Sequence, residues 1–127
     1  MVRSASKHLT GVELRVMKVL WDQGESGVEE IQEGLEASGH PLAQPSIRTM
    51  LNILGKKKMV ARRQEGRRFL YRAAVEREAA AGEFVEDMVE RVFEGSAAGL
   101  VAALLQKNDL SADERKRVRE MLDQMED

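Results

Sequence analysis

The chain has no cysteine. Disulfides, iron–sulfur clusters and thiolate metal sites are excluded together. Its two histidines, His8 and His40, form no His-x-x-x-His pair, so no metal site is expected. Aromatic residues make up only 4% of the 127 residues, and there are two prolines. The abundance of Ala, Leu, Val, Glu and Arg favours helix. No apolar run approaches the ~18 residues of a membrane span. Met1–His8 lacks the apolar centre of a signal peptide, and a soluble, cytoplasmic protein is expected. No glycine-rich phosphate loop occurs, and no Ser/His/Asp set has a reason to converge. Asp109, Asp113 and Glu114 read as a loop and a helix start, not as a carboxylate dyad. Neither an enzyme nor a cofactor is therefore expected.

Acidic charge is nearly absent from one segment. Between Gln44 and Arg72 stand nine Lys/Arg and a single acid, Glu65. Of the chain's 20 basic and 22 acidic residues, the remainder holds 11 and 21. A segment of charge about +8 inside a chain of net charge −2 is the footprint of a protein that meets a polyanion with one face.

The apolar pattern orders the elements. Thr10 with Glu13 is a capping-box signature. The helix it opens carries Val12, Val16, Val19 and Leu20 inward, with Leu14, Met17 and Trp21 widening the stripe. Ser26 with Glu29 repeats the signature before a short helix through Ile31 and Leu35, which ends at Ser38-Gly39. A third helix starts near Gln44–Ser46. Its Ile47, Met50, Leu51 and Leu54 fall at i, i+3, i+4 and i+7 and define a buried face. The period then changes to that of strands over Met59–Gln64 and Arg68–Ala73, with a turn at Glu65-Gly66-Arg67. Three helices and a hairpin give the winged helix-turn-helix order.

From Val75 the composition shifts to an acidic helical stretch, 14 acids against seven bases. Its apolar stripes include Phe84, Met88 and Val92, then Leu100 and Leu104, then Val118 and Leu122 after a Ser111/Glu114 capping pair. They are too wide for lone helices and imply packing against a second copy. The expected fold is mostly α with a small β-hairpin wing. Residues 1–74 form a winged-helix DNA-binding domain and residues 75–127 a helical dimerisation domain.

From composition alone, the third helix is equally an ordinary solvated surface helix. The side chains on its polar face favour DNA. Surface helices usually place Glu and Lys there, whereas this face carries Ser46, Arg48, Thr49 and Asn52. Arg pairs bidentately with guanine, Asn with adenine, and Ser and Thr take phosphates or a thymine methyl. Gln44, Lys56, Lys57, Arg67 and Arg68 are the phosphate candidates, giving affinity but not sequence choice. Two rival readings remain: a winged-helix adaptor docking on an acidic partner protein, and a non-specific DNA-coating protein.

Leu9-Thr-Gly-Val-Glu13, Val16-Met17, Leu20-Trp21, Ser46-Ile-Arg-Thr49 with Leu54, Tyr71 and Gly99-Leu100-Val101 carry a resemblance. Over about Leu9 to Gln124 the chain resembles the penicillinase and methicillin-resistance repressors of bacteria (BlaI/MecI type), relatives of copper-responsive repressors. The resemblance implies a transcriptional repressor, a homodimer binding a dyad-symmetric double-stranded operator. It implies Ser46, Arg48 and Thr49 as groove residues, and relief by cleavage in the C-terminal part, triggered by a membrane-bound β-lactam sensor protease. The chain departs at the cleaved Asn-Phe bond, which aligns with Ala103-Leu104. It also lacks the cysteine motif of the copper-responsive branch, so copper sensing through thiolates is not open to it.

Overall fold

The computed structural model describes residues 9–106 and 110–125. Met1–His8, and Asp109, read above as part of a loop, lie outside them. The elements run α1 (Gly11–Gln23), α2 (Val28–Ala37), α3 (Gln44–Lys56), β1 (Val60–Glu65), β2 (Arg68–Ala73), α4 (Arg77–Val92), α5 (Ala97–Gln106) and α6 (Ala112–Gln124). Mostly helical architecture with one antiparallel hairpin is the expected class. The chain forms two compact units, Met1–Val85 and Glu86–Asp127, and the division falls within α4.

In the first unit α1 opens with the expected capping box. Thr10 Oγ1 accepts from the Glu13 N–H at 3.1 Å, and Glu13 Oε1 accepts from the Thr10 N–H at 3.0 Å. The buried stripe is Val16, Met17, Val19 and Leu20, while Val12 is only half-buried. It is centred one position away from the expected stripe, so Met17 is part of its centre. These side chains pack with Ile31 and Leu35 of α2, with Ile47, Leu51 and Leu54 of α3, and with Met59, Val60 and Tyr71. Trp21 donates its ring N–H to the Val75 carbonyl at 2.9 Å. Ala80 and Phe84, on the first turns of α4, also pack against this core.

The second capping signal acts one residue later than expected. The N-cap of α2 is Gly27, and Glu30 Oε1 accepts from its N–H at 2.8 Å. Ser26 is committed elsewhere. Its N–H donates to the Tyr71 carbonyl at 2.9 Å and its carbonyl accepts from the Tyr71 N–H at 2.8 Å, adding a one-residue bridge to the hairpin. Its hydroxyl donates to the Gly24 carbonyl. At the start of α6 the expected pair holds, and Ser111 Oγ accepts from the Glu114 N–H at 3.1 Å.

The helix ends show the same motif built with different residues. After α2, Gly39 stands at φ 85°, with its N–H on the Glu36 carbonyl and the His40 N–H on the Leu35 carbonyl. After α3, Lys58 takes the equivalent left-handed place at φ 64°, with its N–H on the Gly55 carbonyl and the Met59 N–H on the Leu54 carbonyl. The reversal drops Met59, 1% exposed, into the core and launches β1. A Cβ in that conformation is strained. Lys58→Gly is therefore expected to raise stability by about 1 kcal/mol, read by chemical denaturation.

The third helix is also pinned through its end. Lys57 Nζ donates to Glu13 Oε1 at 2.7 Å, and Glu13 is only 3% exposed. Without its cation this buried carboxylate keeps, among the described residues, only the Thr10 N–H against its desolvation. Lys57→Met is expected to cost about 2 kcal/mol of stability in urea denaturation, while α1 keeps its cap through Thr10 Oγ1.

In the hairpin, Val60 pairs with Ala73 and Glu65 with Arg68, leaving Gly66-Arg67 as a two-residue turn. Gly66, at φ 65°, takes the first central position, where turns that match strand twist need a positive φ.

In the second unit α5 and α6 bury no residue completely. Met88, Val92, Val101, Leu104, Leu105, Val118, Met121, Leu122 and Met125 are exposed. A groove between α5 and α6 is lined by Val101, Leu105, Leu110, Val118 and Leu122 and rimmed by Arg115 and Arg119. Among the described residues no helix is long and apolar enough to cross a membrane.

Candidate nucleic-acid interface

The buried side of α3 fixes what its other side presents. With Ile47, Leu51 and Leu54 in the core, Ser46, Arg48, Thr49, Asn52 and Lys56 are all exposed. Arg48 is held by a relay. The Gln32 amide donates to the Leu42 carbonyl at 3.1 Å, and the Gln44 amide donates to Gln32 Oε1 at 3.1 Å. Gln44 Oε1 in turn accepts from Arg48 Nη2 at 3.4 Å. Thr49 Oγ1 donates to the Pro45 carbonyl at 3.1 Å, which leaves its methyl and lone pairs outward. The first turn of α3 has no acid and no side-chain cap at Ala43, so its N–H groups and positive dipole end stay open to an anion. Gln32 was not foreseen: nothing in a single sequence marks a half-buried helix glutamine as a support for Arg48.

The bases of the wing divide by strand register. Arg63, Glu65, Arg68 and Leu70 share one face of the hairpin; Arg62, Phe69 and Tyr71 share the other. Arg62 lies over the Phe69 ring, 4.2 Å from its centroid. Arg63 makes a two-pronged pair with Glu25, Nε and Nη2 each 2.8 Å from a carboxylate oxygen. Arg68 Nη2 donates to Glu30 Oε1 at 2.7 Å, the oxygen that also caps Gly27. Hydrogen bonding from Arg63, and then its charge, holds the Glu25 carboxyl below the usual carboxylate range. Arg68 does the same to Glu30. Both guanidinium groups are raised in turn by the hydrogen bond they donate.

Of the five phosphate candidates, Lys57 and Arg68 thus have acidic partners within the chain, and Gln44 serves the Arg48 relay. Among the described residues no acid pairs with Lys56 or Arg67. A cleft of about 300 Å³ joins the parts: Gly27, Val28 and Glu29 at the start of α2, Gln44 and Arg48 on α3, and Arg67, Arg68, Phe69 and Tyr71 on the wing. Of the dimerisation candidates, Phe84 packs on the first unit's core, and Leu100 is half-buried. Met88, Val92, Leu104, Val118 and Leu122 are exposed. Ala103, half-buried, and Leu104 lie inside α5.

Three packed helices, a basic hairpin and a polar, uncapped third helix define a winged-helix DNA-binding protein. Its sequence matches the penicillinase repressor family over residues 9–124, and the chain belongs to that family. It is 25% identical over 114 residues to the methicillin resistance regulatory protein MecI of Mammaliicoccus sciuri, covering 90% of this chain and 92% of that one. The MecI of Staphylococcus aureus strain N315 gives the same identity and coverage. Among solved structures, the DNA-binding domain of the repressor BlaI is 29% identical at a TM-score of 0.50, covering 59% of this chain and 90% of that domain. The protein is a DNA-binding transcriptional repressor and not an enzyme.

Proposed function

We propose that the chain acts in the cytoplasm as a homodimer that represses transcription by occupying a dyad-symmetric operator. The observation that carries the DNA-reading part is α3: one face is locked in the core, and the opposite face offers Ser46, Arg48, Thr49 and Asn52. In this reading those four enter the major groove. Lys56, Arg67 and the open N-terminus of α3 take backbone phosphates, with Gln44 beside them. Lys57 and Arg68 contribute positive potential while serving their acidic partners. Family membership favours this reading over the protein adaptor and the DNA coat.

The dimer is supported by the second unit, where exposed large apolar side chains concentrate on α4, α5 and α6. A second copy of the chain covers Met88, Val92, Leu104, Val118 and Leu122 in this proposal. Sedimentation of the chain with a duplex selected from a randomised pool tests both parts. Two chains per duplex are expected; one chain per duplex would remove the dimer.

Relief of repression by a membrane-bound sensor protease belongs to the same proposal. The bond aligned with the family's cleavage point, Ala103–Leu104, sits in mid-helix, and a helical bond must open before a protease can hold it extended. With no residue of α5 fully buried, such local opening costs little. Recovery of a fragment ending at Ala103 from induced cells supports this, and an intact chain under induction contradicts it.

A further inference from the structure

The DNA-reading unit carries two acids, Glu25 and Glu30, against the basic residues of its wing, where repulsion from a polyanion would be expected. Glu25 precedes α2, and Glu30 lies in its first turn, beside the cleft that Arg48 and Arg67 line. Simple charge arithmetic makes these acids a liability for a DNA-binding protein. Their geometry gives them another role. Glu25 holds Arg63 on β1 by two parallel bonds, and Glu30 holds Arg68 on β2. Next to Glu25 runs the Ser26–Tyr71 bridge, the backbone link from the α1–α2 corner to the hairpin. The wing is thus fastened to the helix-turn-helix on both of its strands.

Gly27 is part of the device. Its backbone is ordinary extended chain, at φ −82° and ψ 175°, so conformation does not demand glycine. What a side chain would change is the neighbours: a Cβ at this position would push aside Arg68 Nη2 and Glu30 Oε1, the far ends of two flexible side chains. The missing side chain lets the guanidinium lie across the start of α2. Arg67, next to Arg68 at the hairpin tip, is left facing the cleft with no acid of its own among the described residues.

We infer that Glu25 and Glu30 are positioning residues for DNA recognition, fixing the wing through Arg63 and Arg68 so that Arg67 meets a backbone phosphate while α3 reads the groove. The inference rests on the DNA reading proposed above. It makes a prediction opposite in sign to bulk electrostatics. Removing two negative charges beside the DNA should strengthen binding if charge alone matters. Loss of the fastening should weaken it, because a wing free to swing must be ordered on binding.

The test uses the full chain with Glu25→Gln and Glu30→Gln together. Glutamine at position 30 can still accept from the Gly27 N–H, so the α2 cap survives while the charge pairing is lost. On a duplex selected from a randomised pool with the parent chain, the double variant is expected to bind ~3- to 10-fold more weakly, with an unchanged thermal midpoint. Arg67→Ala should weaken the parent by several-fold and the double variant hardly at all, a coupling that general loss of stability does not produce. Gly27→Ala, which displaces the same guanidinium, should reproduce the loss. Equal or tighter binding by the double variant, or an undiminished Arg67→Ala effect in its background, overturns the inference. A parent chain that selects no duplex overturns the DNA reading itself.

Discussion

A chain ending at Val85 is expected to fold, to be monomeric, and to bind the selected operator ~100- to 10,000-fold more weakly than the full chain. The end point follows from the structure. Val75 accepts the Trp21 ring N–H, and Ala80 and Phe84 pack on the first core, so all three must stay. What is removed is the unit whose Met88, Val92, Leu104, Leu122 and Met125 lie exposed. Without them the two half-sites are bound independently, and the effective concentration conferred by the first contact disappears. Affinity for random duplex should fall less, since a single basic wing still meets phosphate. Sedimentation and fluorescence anisotropy on the two chains read both effects. A full chain that sediments as a monomer at micromolar concentration would contradict the expectation.

Arg48→Ala is the second large effect. A bidentate arginine–guanine contact is worth ~1–3 kcal/mol of discrimination, so affinity for the selected duplex should fall by ~5- to 150-fold per half-site. Preference should relax at one base pair in each half. The Gln32–Gln44 relay sharpens the expectation, because the guanidinium is already steered before DNA arrives. Random-duplex affinity should change only by the loss of one positive charge. A uniform loss on every sequence would make Arg48 a phosphate contact instead of a base reader.

The architecture was legible because local signals agreed. Thr10/Glu13 and Ser111/Glu114 cap the helices they announce, and Ile47, Leu51 and Leu54 face the core as their spacing requires. The hairpin follows from the change of period and from Gly66. What escaped was long-range. Ser26 looks like an N-cap by spacing, yet its backbone is claimed by Tyr71, 45 residues later, which moves the cap to Gly27. Lys57 and Arg68 read as free charges, but Glu13 and Glu30 reach them only once the fold brings distant segments together. Spacing along one chain shows which residues share a face; it does not show which charge on another element lies opposite.

The most direct measurement is the ratio of affinities for the selected duplex and for random duplex at physiological salt. A groove-reading repressor is expected to show a preference of at least ~1,000-fold, falling sharply with Arg48→Ala. A ratio within ~10-fold, unchanged by Arg48→Ala, would contradict the assignment of α3 as the element that reads sequence.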